Sequence, residues 1–136
     1  MQNFEQLDIE YEDLPIKGMT MTSVTRGTRA GGQDLIHFVA TNGEEYHMTH
    51  YQDCCESVDI EDICGDLSDL VGVPLLQAEE ATHSGPDTDS TWTFYKFATI
   101  KGVVTVRWYG QSNGYYSETA DFVKVDADGN RIYSWD

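Results

Sequence analysis

The chain has 136 residues, 40% hydrophobic and 12% aromatic: one domain's worth of chain, with enough apolar side chain to bury a core and too much aromatic content for disorder. Asp and Glu number 24 against 8 Lys and Arg, a formal charge of −16, which disfavours direct contact with nucleic-acid phosphates and favours basic partners or cations. No apolar run reaches the length of a membrane span, the opening MQNFEQLDIEYEDL lacks the basic and apolar stretches of a secretory signal, and three cysteines in such a chain are expected to be reduced thiols of a cytoplasmic protein. The charge is uneven, since residues 1–90 hold 19 acids and 3 bases (Lys17, Arg26, Arg29) while residues 91–136 hold 5 of each.

Residues 1–15 mix acids with Phe4, Leu7, Ile9, Tyr11 and Leu14 at a spacing that fits either a short helix or an edge strand, ended by Pro15. From Met19 to Val24 apolar and small polar residues alternate, as in a strand. Asp34 to Thr41 forms a second predicted strand, and Asn42-Gly43 is a strong hairpin signal because both turn positions favour positive φ. Glu44 to Tyr51 returns with Tyr46, Met48 and His50 on one face and His47, Thr49 and Tyr51 on the other. Residues 57–63 (SVDIEDI) alternate, which places Val58 and Ile60 with Asp62, and Asp59 and Glu61 with Ile63. Asp66 to Gly72 has the N-cap and the terminal glycine of a short helix, with Pro74 beyond its stop. Leu75 to Thr82 is a further predicted strand, followed by a polar loop, HSGPDTDS.

The last third reads as a meander of three or four strands: Thr91–Ile100, Val103–Tyr109 with Val104, Val106 and Trp108 on one face, Tyr115–Val125, and Arg131–Trp135. The connections between them are too short for parallel crossovers. The expected fold is therefore mostly β, with α+β at the margin. It is an antiparallel meander curled into a partial barrel or sandwich, with one short helix across an end. It forms a single domain, 1–136, divided into an acidic N-terminal segment (1–15), a core (18–125) and a C-terminal hairpin strand (126–136).

The densest polar cluster is Tyr46 to Glu56. Zinc binds imidazole and thiolate, so His47, His50, Cys54 and Cys55 are the candidate metal ligands. Strand alternation sends His47 and His50 to opposite sides, and adjacent cysteines also diverge, so the expectation is no cofactor unless a turn near Asp53 reconverges the set around zinc. The same residues with Glu56 define an alternative, a metal-dependent or thiol enzyme, which the acidic surroundings oppose because they raise a thiol's pKa. The plainer reading makes Cys54, Cys55 and Cys64 small core residues at strand ends.

The acidic string Asp53, Glu56, Asp59, Glu61, Asp62, Asp66 and Asp69 is the candidate binding face. Carboxylates at i and i+2 on a strand lie about 6.7 Å apart, close to the spacing of backbone phosphates, so such a row suits a partner's basic groove; a solvated strand face is the alternative. Arg26 to Gly32 (RGTRAGG) is a basic, glycine-rich island able to hold an anion such as a nucleotide phosphate, or simply a hairpin loop. Trp92, Tyr95, Arg107, Trp108, Tyr109, Tyr115 and Tyr116 are the candidate lining of a pocket for a flat ligand, or a surface for self-association. Asp126 to Asn130 looks in passing like a calcium loop, but Arg131 stands where that loop needs glycine, so a hairpin turn is expected.

The stretches YHMTHYQDCCESV, STWTFYKFATIKG and VRWYGQSNGYYS resemble an uncharacterised domain-of-unknown-function family of small proteins from bacteriophages and their bacterial hosts. The likeness covers roughly residues 18–125, and the Asp53–Glu56 string and the Ser112–Ser117 turn are its most distinctive parts. It brings no catalytic residue. It implies a setting, the host-cell cytoplasm, and a role as an accessory protein that binds and blocks a host factor, which could serve defence. The functional expectation is thus a non-enzymatic protein whose partner is a host protein with a basic surface or a small, nucleotide-like anion. A structural or assembly subunit is a further alternative.

Overall fold

The computed structural model describes residues 9–132, so the expectations for residues 1–8 and 133–136 lie outside it. The described residues form strands β1 (Glu12–Asp13), β2 (Met21–Thr28), β3 (Asp34–Ala40), β4 (Glu45–Thr49) and β5 (Ser57–Cys64), a 3-10 turn (Leu67–Leu70), then β6 (Gln77–Ser84), β7 (Ser90–Thr99), β8 (Gly102–Gln111) and β9 (Asp121–Val125). They make two antiparallel sheets, one of five strands in the order β1-β6-β7-β8-β5 and one of four in the order β2-β3-β4-β9. The sheets face one another as a sandwich, and no barrel closes.

The core follows from alternation. The five-stranded sheet turns Val58, Ala78, Tyr95, Phe97, Val104, Val106 and Trp108 inward, and the four-stranded sheet turns Met21, Val24, Ile36, Phe38, Tyr46 and Met48 to meet them. Trp108 is fully buried, and its indole Nε1 donates to Met48 Sδ at 3.2 Å across the sheets. Phe38 and Phe97 meet at 5.4 Å between ring centres. Each such side chain contributes about 1.5–3 kcal/mol on leaving water, so this interlayer, rather than hydrogen bonding, holds the two sheets together.

Local signals place most elements. Gly43, at φ +89°, closes the β3–β4 hairpin, and Gly43 N donates to Ala40 O. Asp66 caps the short turn, its side chain accepting from Ser68 N and Oγ. The expected helix is only one 3-10 turn, because Val71 is already extended and bridges to Met21, so the segment serves as a plug that buries Leu70.

Three expectations change. The strand expected over Tyr115–Val125 begins only at Asp121, because residues 112–120 leave the five-stranded sheet and carry the chain to the other layer. The meander is therefore β6-β7-β8, and β9 pairs with β4 instead. In β5 the pairing slips by one residue between Ile60 and Asp62, leaving Glu61 as a bulge. A bulge inverts the alternation beyond it, so Ile63 joins Val58 and Ile60 on the inner face, and Asp62 joins Asp59 on the outer face.

Candidate functional site

Three connections meet at one end of the sandwich: residues 29–33 between β2 and β3, residues 50–56 between β4 and β5, and residues 126–131 after β9. At their centre lies a fully buried ion pair. His50 follows the inward-facing residues of β4; its Nδ1 lies 2.8 Å from Thr119 O and its Nε2 lies 2.8 Å from Glu56 Oε2. The backbone N–H groups of Asp53 and Cys54 donate to the same carboxylate at 2.8 and 2.9 Å. Burial raises the Glu56 carboxyl, but these two N–H groups and His50 outweigh it and hold it at about 2. Both ring nitrogens of His50 therefore face oxygen atoms, a carboxylate on one side and a backbone carbonyl on the other.

That closure explains the loop above it. For Asp53 and Cys54 to point their N–H groups at Glu56, the intervening side chains must turn outward, and Cys54 and Cys55 are both exposed. Their sulfur atoms are bonded to one another at 2.14 Å. Cys64 is exposed too, facing outward on β5 beside Asp62. The expectation of three core cysteines is thus corrected: the bulge turns Cys64 out as a free thiol, and the Glu56 cradle turns out the other two, which are bonded to one another.

Beside this pair, Arg29 and Arg131 both lie against the ring of Tyr51, with guanidinium carbons 4.3 and 3.9 Å from its centre. Arg29 Nη1 donates to His50 O at 3.1 Å and meets Gln33 Oε1 at 3.4 Å, while Gln33 Nε2 donates to Gln52 Oε1 at 2.8 Å. Arg29, Gly31, Gln33, Tyr51, Gln52 and Arg131 line a cleft of about 410 Å³. The Asp126–Asn130 segment is the expected turn, its ends joined by Asp126 N to Asn130 O, and it delivers Arg131 to this cleft through a bridge to Val125.

The acidic string is dispersed. Asp53 is exposed on the loop, Glu56 is consumed in the core, and Asp66 is spent as a cap. Asp69 sits in the 3-10 turn, where its carbonyl accepts from Thr99 Oγ1. Asp59, Glu61 and Asp62 remain together on the outer side of β5, which among the described strands pairs with β8 alone. Glu61 is not wholly free there, since its Oε1 accepts from Arg107 Nε and from Trp92 Nε1, the latter at 3.2 Å.

The predicted aromatic pocket divides as well. Tyr95 and Trp108 belong to the core, whereas Trp92, Arg107 and Tyr109 share the outer face of the five-stranded sheet. Tyr115 is 87% exposed on a turn and Tyr116 is its neighbour there. On that outer face a shallow cleft of about 220 Å³ is lined by Tyr11, Asp62, Phe94, Lys96 and Arg107, with Lys96 Nζ over the Tyr11 ring at 4.5 Å. Nor does the metal set converge. His47 lies on the outer face of the four-stranded sheet against His37, at 5.1 Å between rings, while His50 is inside with Glu56 and the two cysteines bond each other. Burial, then His37 and Arg29, lower the pKa of His47. Among the described residues no three His, Cys, Asp or Glu side chains are grouped for a metal ion.

Sequence reasoning missed the pairing of Arg29 with Arg131, which are over a hundred positions apart and joined only by the β4–β9 register. It missed the bulge, for which SVDIEDI carries no glycine or other marker. The alternation of β4 could have shown that His50 is internal and in need of a partner.

A family model described as Domain of unknown function (DUF7448) matches residues 14–122. No curated protein and no solved structure matches the chain. No helix of the described residues is long and apolar enough to cross a membrane.

Proposed function

Since the chain belongs to DUF7448, a family of unknown function, its role must be read from its own surface, and we propose that it is a non-enzymatic accessory protein of phage type that docks on a basic surface of a host protein and blocks it. The bulge at Glu61 carries this reading. It brings Asp59 and Asp62 to the same exposed face of an open sheet edge, with Glu61 between them. Acidic residues on an edge also discourage edge-to-edge aggregation, a role that any row of charges would fill. A docking role differs in demanding the positions of the charges and not only their number. The global charge of −16 adds long-range attraction toward a basic partner and a steep dependence on salt.

The test reverses Asp59 and Asp62 to lysine together and leaves Glu61, which Arg107 and Trp92 need. Partner capture from a bacterial lysate at low salt should be lost in the variant and weakened for the native chain at high salt, with unchanged thermal unfolding. Capture that survives the reversal removes the acidic edge from the mechanism. Elemental analysis and thiol titration address the enzyme alternative: a stoichiometric metal, or a thiol reacting far faster than free cysteine, would replace the docking proposal.

A further inference from the structure

In a chain with three acids for each base, two of the eight basic side chains converge on a single tyrosine. Most other bases are matched: Lys17 with Asp13, Lys124 with Glu44, Arg107 with Glu61, and Arg26 within 3.9 Å of Asp34. Arg29 has no carboxylate partner among the described residues. Only its Nη1 is committed, to two neutral oxygens, His50 O and Gln33 Oε1. These two contacts fix the plane of the guanidinium and leave the edge formed by Nε and Nη2 without an acceptor among the described residues. That edge is the one that grips an oxyanion through two parallel hydrogen bonds.

The surroundings are braced rather than loose. Gln33 bonds Gln52, and Gln52 Nε2 donates to Cys54 O and Glu56 O, which ties the Arg29 loop to the loop that closes over the buried ion pair. Gly31 and Gly32, at φ +93° and +86°, turn the chain at the rim, and a Cβ at either would have no described atom within 4 Å. Among the described residues no carboxylate lines the cleft: Asp34 is taken by Arg26, Glu56 by His50, and Asp121 feels the charge of Arg131 from outside the lining.

We infer that the cleft between Arg29, Arg131 and Tyr51 is a binding site for a small phosphate-class oxyanion, read by its phosphate group and not by an attached base. The Tyr51 ring, on which a base would stack, is already engaged by the two guanidinium groups. The net negative charge excludes long polyanions, so the ligand is small. The site lies apart from the β5 edge, so it stands or falls independently of the docking role.

The experiment titrates inorganic phosphate, inorganic pyrophosphate and adenosine monophosphate separately into the isotopically labelled full chain and follows backbone amide shifts. Saturable shifts should fall on residues 29–33, 50–53 and 129–131. Pyrophosphate should bind more tightly than phosphate, and adenosine monophosphate no more tightly than phosphate. Arg29→Gln should weaken pyrophosphate by about tenfold or more, the worth of one bidentate charged contact, and Arg29→Lys should fall between because it keeps the charge and loses the fork. Lys101→Gln, on a distant turn, should change nothing. Shifts that never saturate, that ignore Arg29→Gln, or that respond equally to Lys101→Gln would overturn the site. Much tighter binding of adenosine monophosphate than of phosphate would overturn phosphate-only reading.

Discussion

Glu56 shows how one residue can be acidic by composition and structural by role. Its carboxylate is inside, yet two backbone N–H groups and an imidazole leave it ionised. Glu56→Gln removes the charge opposite His50 and should cost about 3 kcal/mol in urea unfolding, the scale for breaking a buried pair from one side. The pH dependence has a definite sign. The folded carboxyl sits at about 2 against an ordinary 4.5, so its contribution is complete above 4.5 and is lost as pH falls toward 2; unfolding midpoints measured across that window should drop, and the Gln variant should show less of that drop. Glu80 is the opposite case. Burial, with Asp121 and Glu12 near, raises its carboxyl and outweighs the contact with Tyr95, so ionised Glu80 works against the fold at neutral pH. Glu80→Gln should therefore raise stability there, read as a higher urea midpoint, and the gain should vanish in acid where Glu80 is protonated.

Among the elements, β5 and the segment after β8 make the decisive departures from regular pattern. The bulge at Glu61 lets an edge strand keep Ile60 and Ile63 inside while showing Asp59, Asp62 and Cys64 outside. Deleting Glu61 would restore strict alternation and force either Asp62 inward or Ile63 outward. A loss of about 3 kcal/mol or more is expected from chemical unfolding, because a buried carboxylate has no partner there. A stability change within error would mean that β5 is held by its β8 hydrogen bonds alone. Gly110 is the matching device at the other end of the hairpin. A Cβ there would overlap the backbone of Glu118, where the chain leaves for the second sheet. Gly110→Ala should displace that crossing, and the Trp108 fluorescence should report a loosened core.

The whole molecule carries a strongly negative charge, contributed by residues 1–90, with a few local exceptions. A net charge of −16 on so small a body repels itself, so unfolding midpoints should rise as sodium chloride goes from about 0.01 to about 0.15 M, over which the screening length falls from about 30 to 8 Å. A flat response would show that local pairs such as Lys124–Glu44 and Arg107–Glu61 already neutralise the field where it matters. The two proposed surfaces occupy different places in that field. The β5 edge works with it, whereas the Arg29–Arg131 cleft works against it and needs two converging guanidinium groups to do so.

Alternation, turn residues and composition determined by themselves that this is an antiparallel β protein with Trp108, Val106 and Val104 inside, an Asn42-Gly43 hairpin and an Asp66 cap. Those features depend on neighbours a few positions apart, and the chain encodes them locally. Only the tertiary structure decided that β9 leaves the meander for the other sheet, that the strand phase inverts at Glu61, that His50 and Glu56 pair in the interior, and that Arg131 arrives beside Arg29. Each of these depends on how distant segments compete for the same buried space or the same hydrogen bond, and no local pattern records the outcome of that competition.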